Sequence, residues 1–251
     1  MSDLVKVSQE GSVRRVTMSR PGKANALNLE LCHALLLAFH DAAEDPQTHC
    51  ILLDAEGKVF CAGIDLEEPL PLDDSVHQRL FSIGSRIPKP IVAAVQGPVL
   101  AGGVGLIANC QCVVAAMGTS FGLTEMRIGM FPLLLFRALS DAIGARRAME
   151  LALTARIFQT DEALRMGLIH AVAPEIELDD RATGLANQIA GFTPQAVRFG
   201  MAFAHQQRSL DDDTAARVAF ALTAELAQSP DYAEGLQALK EKRRPVWPTL
   251  S

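Results

Sequence analysis

The stretch Gly97-Pro-Val-Leu-Ala-Gly-Gly-Val-Gly-Leu-Ile-Ala-Asn-Cys-Gln111 follows an apolar run, Ile91-Val-Ala-Ala-Val95, and places four glycines within nine positions. Five apolar residues after Pro90 read as a buried strand, and the glycines open a short helix from Gly103 to Asn109. A second turn of the same kind, Phe60-Cys-Ala-Gly-Ile-Asp-Leu66, follows the apolar run Cys50 to Leu53. Both turns stand beyond the carboxyl ends of strands, where open α/β sheets bind ligands. Glycine lets the backbone approach a ligand closely, and the first N–H groups of a helix lack internal partners and carry a favourable dipole. Two such N–H groups converging on one carbonyl oxygen form an oxyanion hole, in which a single donor is worth about 3 to 4 kcal/mol of transition-state stabilisation.

Outward from these turns, strands and helices alternate. Leu4 to Ser8 and Val13 to Met18 read as a hairpin about Glu10-Gly11-Ser12. Asn28 is placed to cap a helix whose apolar residues Leu31, Ala34, Leu35, Ala38, Phe39 and Ala42 keep the helical period, and Asp45-Pro46 ends it. The spacing predicts a helix over 75–86, a strand from Cys112 to Ala115 and a helix after Pro132. It then predicts a short helix from Thr160 stopped by Gly167, and a strand from Leu168 to Val172. Alternation of this kind belongs to an α/β body with parallel crossovers. From Leu178 onward the pattern is helical, broken near Thr193-Pro194 and Ser229-Pro230, so the chain divides into a 1–175 body and a 176–251 helical region.

Composition sets the function classes. The 251 residues, 49% of them hydrophobic, fill one continuous core, and the net charge of −6 with dispersed cations provides no footprint for nucleic acid. The N-terminus lacks a basic segment followed by an apolar one, and no apolar run is long enough to span a bilayer, so no membrane association and a cytoplasmic location are expected. Five cysteines without metal-ligand spacing read as buried free thiols, and no metal site is expected.

The chain resembles the crotonase superfamily, the enoyl-CoA hydratase/isomerase family, over nearly its full length. The resemblance rests on Arg20-Pro-Gly-Lys-Ala-Asn-Ala-Leu27, Phe60 to Leu66, Gly97 to Gly105, and Phe121-Gly-Leu-Thr-Glu-Met-Arg-Ile-Gly129. Ala163-Leu-Arg-Met-Gly-Leu-Ile169 and Glu241-Lys-Arg-Arg-Pro245 complete it. It implies a spiral of strand-strand-helix units with a C-terminal helical region, and an acyl-CoA thioester as substrate, CoA being part of the substrate and no further cofactor needed. It also implies that the N–H groups of Ala62 and Gly102 hold the thioester oxygen. The loop of Lys23, Ala24, Ala26 and Leu27 lies along the CoA nucleotide, and Gly63, Ile64 and Asp65 lie at the first turn beside the pantetheine arm. Lys240 or Lys242 approaches the CoA phosphates, and the chain assembles as a homotrimer or hexamer.

Family hydratases commonly use two glutamates around a water. Here Gly105 stands at the first position and Glu125 at the second, a pattern similar to a branch that includes methylglutaconyl-CoA hydratases and also to Δ3,Δ2-enoyl-CoA isomerases. Taken without its neighbours, Glu125 reads as a surface acid paired with Arg127; the flanking motif assigns it to proton transfer, with a pKa raised by an apolar pocket. Pro132 leads into Leu133-Leu-Leu-Phe136, which is expected to narrow the acyl end. The expected activity is hydration or dehydration of an enoyl thioester, with isomerisation and inert acyl-CoA binding as alternatives, and an acyl carrier protein thioester is open as the carrier. A pocket that admits a side chain at position 105 would let Gly105→Glu raise hydration. Gly103-Val-Gly-Leu-Ile-Ala108 also fits a dinucleotide fingerprint, but the helix is short and the next strand lacks the acid that would bind a ribose. Glycines serving helix packing alone are the remaining alternative for this run, as a solvated basic helix end is for Glu241 to Trp247.

Overall fold

The computed structural model describes residues 3–68 and 75–250. Strands β1 (Val5–Glu10) and β2 (Val13–Met18) pair antiparallel about Gly11, whose φ of 60° suits a residue without Cβ. Helix α1 (Leu29–Glu44) begins as its sequence requires, the Asn28 side chain accepting the Leu31 N–H at 3.0 Å. After β3 (Cys50–Ala55), the helix expected over 75–86 splits into α2 (Val76–Leu80) and a 3-10 turn, Ile83–Ser85. Asn109 causes the break: its amide donates to the Phe81 carbonyl at 2.9 Å and accepts from the Gly84 N–H at 3.2 Å, taking groups a continuous helix would pair internally.

The chain continues through β4 (Ile91–Val95), β5 (Val99–Leu100), α3 (Gly102–Ala108), β6 (Cys112–Ala116), β7 (Ser120–Gly122), α4 (Leu133–Ile143) and α5 (Ala145–Thr154). Then come β8 (Ile157–Gln159), α6 (Thr160–Met166), with Gly167 left-handed at its end, and β9 (Ala171–Ala173). Six strands form one sheet in the order β1-β2-β3-β4-β6-β9, parallel except for the hairpin. The short strands β5, β7 and β8 form a second sheet that the sequence did not foreshadow. The mixed α/β fold class read from the sequence is therefore the observed one.

The parallel strands β3, β4 and β6 at the centre of the large sheet are buried on both faces. Ile51, Leu53, Ile91, Ala93, Val95, Val113 and Ala115 pack with α1 and α3 residues in the main core. The alternate residues Cys50, Leu52, Val92, Ala94 and Val114 pack on α7 (Leu178–Ala190) through Leu178, Ala182, Ala186 and Ala190. These fall every fourth residue, so α7 lays a narrow alanine stripe on the sheet. The body thus extends through α7, beyond the boundary read at 176. Only α8 (Pro194–Gln206), α9 (Asp212–Ala227) and α10 (Pro230–Glu241) stand outside it. Asp211 starts α9 by accepting the Thr214 N–H, a break between α8 and α9 that carried no proline to announce it.

Candidate active site

The two glycine-bearing turns lie against each other. The Cys61 carbonyl accepts the Leu100 N–H at 2.9 Å, and Cys61 bridges to Val99 in parallel register. Gly63, at φ 99°, is buried so tightly that a methyl group on it would stand 2.7 Å from Ala101 Cβ and 3.3 Å from the Gly102 nitrogen. On Gly102, a methyl would meet Phe81 Cζ at 3.0 Å, Leu27 Cδ1 at 3.4 Å and Ile64 Cγ1 at 3.5 Å. Leu27, Gly63, Ile64 and Gly102 are therefore one cluster.

The donor assignment within this cluster needs a correction. The Ala62 N–H donates to the Ala24 carbonyl at 3.0 Å, so it is spent inside the protein and does not face a ligand. Two residues on, the Ile64 N–H has no acceptor among the described residues, and neither has the Gly102 N–H at the start of α3. The residue before it, Ala101, is held at φ 47°, ψ −119°, a costly conformation for a residue with Cβ. Its own N–H is anchored on the Gly122 carbonyl at 2.8 Å, and its carbonyl, in the peptide that carries the Gly102 N–H, accepts the Val104 N–H at 2.9 Å.

The same anchor brings in Glu125. Strand β7 runs parallel to β5, Gly122 opposite Leu100, so the chain beyond Gly122 continues alongside the start of α3. Glu125 opens a 3-10 turn, Glu125–Ile128, closed by Gly129 in the left-handed region. Arg127 does not pair with Glu125. Its guanidinium donates to the Ala155 carbonyl at 2.6 and 3.1 Å, pinning the turn from behind. Glu125 Oε2 is buried without a hydrogen-bond partner among the described residues, and burial holds this carboxyl above the usual carboxylate range. A desolvated carboxylate with an unused oxygen is poised to take and return a proton.

The space at Gly105 is not empty. A methyl there would stand 2.5 Å from Leu135 Cβ and 3.1 Å from Phe81 Cδ1, so hydrocarbon occupies the direction in which a side chain would leave. The condition on which Gly105→Glu would raise hydration, a pocket that admits a side chain, is therefore not met here, and Gly105 itself is buried against those two side chains. Of the Leu133 to Phe136 run, Leu135 fills this position after the buried Pro132, Phe136 packs on the core, and Leu133 and Leu134 are exposed.

The loop before α1 is tied to the first turn. Ala24 and Asn25 are left-handed at φ 51°. The buried Asn25 accepts the Arg20 N–H at 2.8 Å and donates to the Glu56 and Val59 carbonyls at 2.9 and 2.8 Å. The Arg20 guanidinium spans Asp65 at 2.6 Å and the Ala26 carbonyl at 3.0 Å. That contact, with the Glu67 N–H, holds the Asp65 carboxyl below its usual range. Asp65 is thus spent on Arg20 and serves as a tie. Lys23 lies exposed with its Nζ on the Glu67 carboxylate at 2.7 Å. Lys242 sits exposed and left-handed at the end of α10, whose main neighbours are α9 and the C-terminal turn; within one chain it is not among the residues that the two turns gather. Arg243 there is paired with Glu234 and Glu241.

Sequence reasoning missed Arg20, Asn25, Phe81, Ala101 and Leu135. Asn25 had a signal, an amide residue in a Pro-Gly loop, the type that tolerates a left-handed backbone. Phe81 had none, and Leu135 was not singled out within the Leu133 to Phe136 run, because their place against Gly105 is set by packing. A groove of about 800 Å³ opens beside α4 and α8, lined in part by Arg86, Arg137 and Arg208 and by Phe81, which also approaches Gly102.

The Ile64 and Gly102 N–H groups without acceptors among the described residues, and the desolvated Glu125 carboxyl that follows the strand paired with β5, are the kinds of group that thioester enolate chemistry uses. Residues 8–249 match the family model described as enoyl-CoA hydratase/isomerase, and the chain belongs to that family. The rat mitochondrial enoyl-CoA hydratase domain-containing protein 3 is 33% identical, the match covering 97% of this chain and 84% of that one. Enoyl-CoA hydratase EchA19 of Mycobacterium tuberculosis is 30% identical over 95% of this chain and 94% of its own. Among solved structures, an enoyl-CoA hydratase of Mycobacterium smegmatis superposes with a TM-score of 0.92 at 30% identity, covering 98% of this chain and 99% of that one. The protein is thus an enzyme of the crotonase fold. No helix among the described residues is long and apolar enough to cross a membrane.

Proposed function

We propose that this enzyme adds water to, and removes it from, an enoyl-CoA thioester, with Glu125 as its one acid/base. The N–H groups of Ile64 and Gly102 receive the thioester oxygen. Glu125 takes a proton from water as the oxygen adds to Cβ, the negative charge collects on the thioester oxygen as an enolate, and the proton returns to Cα. Dehydration is the reverse. The observation that carries this reading is the buried, unpartnered oxygen of Glu125 on the strand register that leads past Gly102. The relatives named as enoyl-CoA hydratases support the direction of the chemistry.

Isomerisation is the second reading, supported by the hydrocarbon at Gly105: moving one proton from Cα to Cγ requires only one carboxylate and no water. Incubation with enoyl- and 3-hydroxyacyl-CoA thioesters in deuterated water, followed by mass spectrometry, separates the two. Added water with deuterium at Cα supports hydration, and a shifted double bond without added water supports isomerisation. No deuterium incorporation from any thioester leaves an inert binder. Parallel assays with acyl carrier protein thioesters identify the carrier.

A trimer-based assembly belongs to the same proposal. Phe220 on α9, Leu239 on α10 and Val246 beyond it are 78%, 76% and 72% exposed, apolar surface that a second copy would cover. A stable monomer by light scattering at micromolar concentration would refute it.

A further inference from the structure

Ile64 is an unusual place for a precise hydrogen-bond donor. The residue before it, Gly63 at φ 99°, has no side chain to hold it, so the direction of the Ile64 N–H depends on what the turn is bonded to. Something beyond the turn must fix it. Backbone bonds to the 24–27 segment do part of this: Ala62 N–H to the Ala24 carbonyl at 3.0 Å, Leu27 N–H to the Gly63 carbonyl at 2.7 Å, and Asp65 N–H to the Leu27 carbonyl at 3.2 Å. That segment is itself a loop, with two left-handed residues in succession. Its rigidity comes from Arg20 and Asn25.

We propose that the Arg20–Asp65 ion pair is a positioning pair that sets the direction of the Ile64 N–H and so the strength of the oxyanion hole; this rests on the reading of Ile64 and Gly102 as the donors. Asp65 is the residue after the donor, and its side chain is 7% exposed against 17% for Arg20. Taking both charges out of water is costly, and apolar residues of similar volume would give comparable stability, so the pair is poorly explained by stability alone. Its geometry points to alignment. One guanidinium nitrogen, Nη1, binds Asp65 Oδ2 on the turn at 2.6 Å and the Ala26 carbonyl on the loop at 3.0 Å. The other carboxylate oxygen accepts the Glu67 N–H at 3.0 Å, so Asp65 holds the chain on both sides of itself. Lys23, the second cation near Asp65, is engaged by Glu67 and does not compete for the carboxylate.

The test compares the full-length wild type with Asp65→Asn and Arg20→Lys on the thioester that the wild type turns over. Steady-state kinetics, thermal melting and the infrared shift of a ¹³C-labelled thioester carbonyl on binding are measured for each. Asp65→Asn keeps the shape but loses the charge, and is expected to lower kcat by roughly 10-fold or more with KM within about 3-fold, and to shrink the carbonyl shift. Arg20→Lys keeps the charge but cannot span both partners, and is expected to fall between the two. Unchanged kcat and carbonyl shift in Asp65→Asn, even with a lowered melting temperature, would overturn the proposal and leave a structural tie. Should Asp65→Asn fail to fold, an Arg20→Lys variant with kcat within 2-fold of the wild type and a full carbonyl shift overturns it equally. A wild type that shows no carbonyl shift removes the oxyanion reading itself, which separates that failure from this one.

Discussion

Replacing Glu125 by glutamine removes the proton carrier while leaving its volume and burial almost unchanged. General acid–base catalysis by one positioned group is worth roughly 10² to 10⁴ in rate, which at about 1.4 kcal/mol per factor of ten is about 3 to 5 kcal/mol of barrier. The upper part of that range is expected here, because among the described residues Leu135 and Phe81 fill the place at Gly105 where a second family glutamate would stand, and Asp65 is spent on Arg20. CoA affinity should survive, since the loop of Lys23 to Leu27 does not depend on Glu125.

Folding provides the internal control. Burial raises the Glu125 pKa in the folded state, so the native protein binds this proton more tightly than the unfolded chain. Relative to an unperturbed carboxyl, the stabilising contribution is present below the unfolded pKa, near 4.3, and is lost as pH rises through the raised folded value. At neutral pH the ionised, desolvated group is therefore a cost, and Glu125→Gln should melt at or above the wild-type temperature there, the difference closing in acid. Deuterium incorporation at Cα by mass spectrometry, with CoA binding by calorimetry, reads the outcome. Turnover within 3-fold of the wild type in a variant that melts normally would place the proton transfer on another residue.

The pH profile follows from the same group. As the base, Glu125 acts ionised, so kcat/KM should rise with pH through a limb above the usual carboxylate range, and Glu125→Gln should abolish the limb. Gly105→Glu is expected to fold poorly and gain no hydration, since its first carbon already collides with Leu135, an overpacking cost of roughly 1–3 kcal/mol before a charge is buried. Adding Leu135→Gly to that variant removes the Cβ at the 2.5 Å contact; a gain in crotonyl-CoA hydration only in the double variant would show that this hydrocarbon sets the carboxylate count, and a gain in the single variant would refute the packing argument. Asn25→Ala strands the Arg20 N–H and the Glu56 and Val59 carbonyls, and should cost about 3 kcal/mol, read by urea denaturation; a loss under 1 kcal/mol would mean that water replaces the amide.

What the sequence disclosed and what it withheld divide along a physical line. Helix α1 and strands β3 and β4 were legible because each buries a face whose period is written in its own residues. Strands of two or three residues, such as β5 and β7, have no period to read, yet their pairing and the Ala101 to Gly122 bond tie the segment that leads to Glu125 to the turn that opens α3. The motifs located both turns, but which N–H remains free depends on where the Ala24 carbonyl arrives, and that depends on Asn25, held from residues some thirty positions further along the chain. Gly105 is the sharpest case. A glycine in sequence reads as room, and here it means the reverse: Leu135 and Phe81 come so close to α3 that only a residue without a side chain fits. The missing second carboxylate is therefore a packing decision of the whole core, and the chemistry left to Glu125 follows from that decision as much as from the glutamate itself.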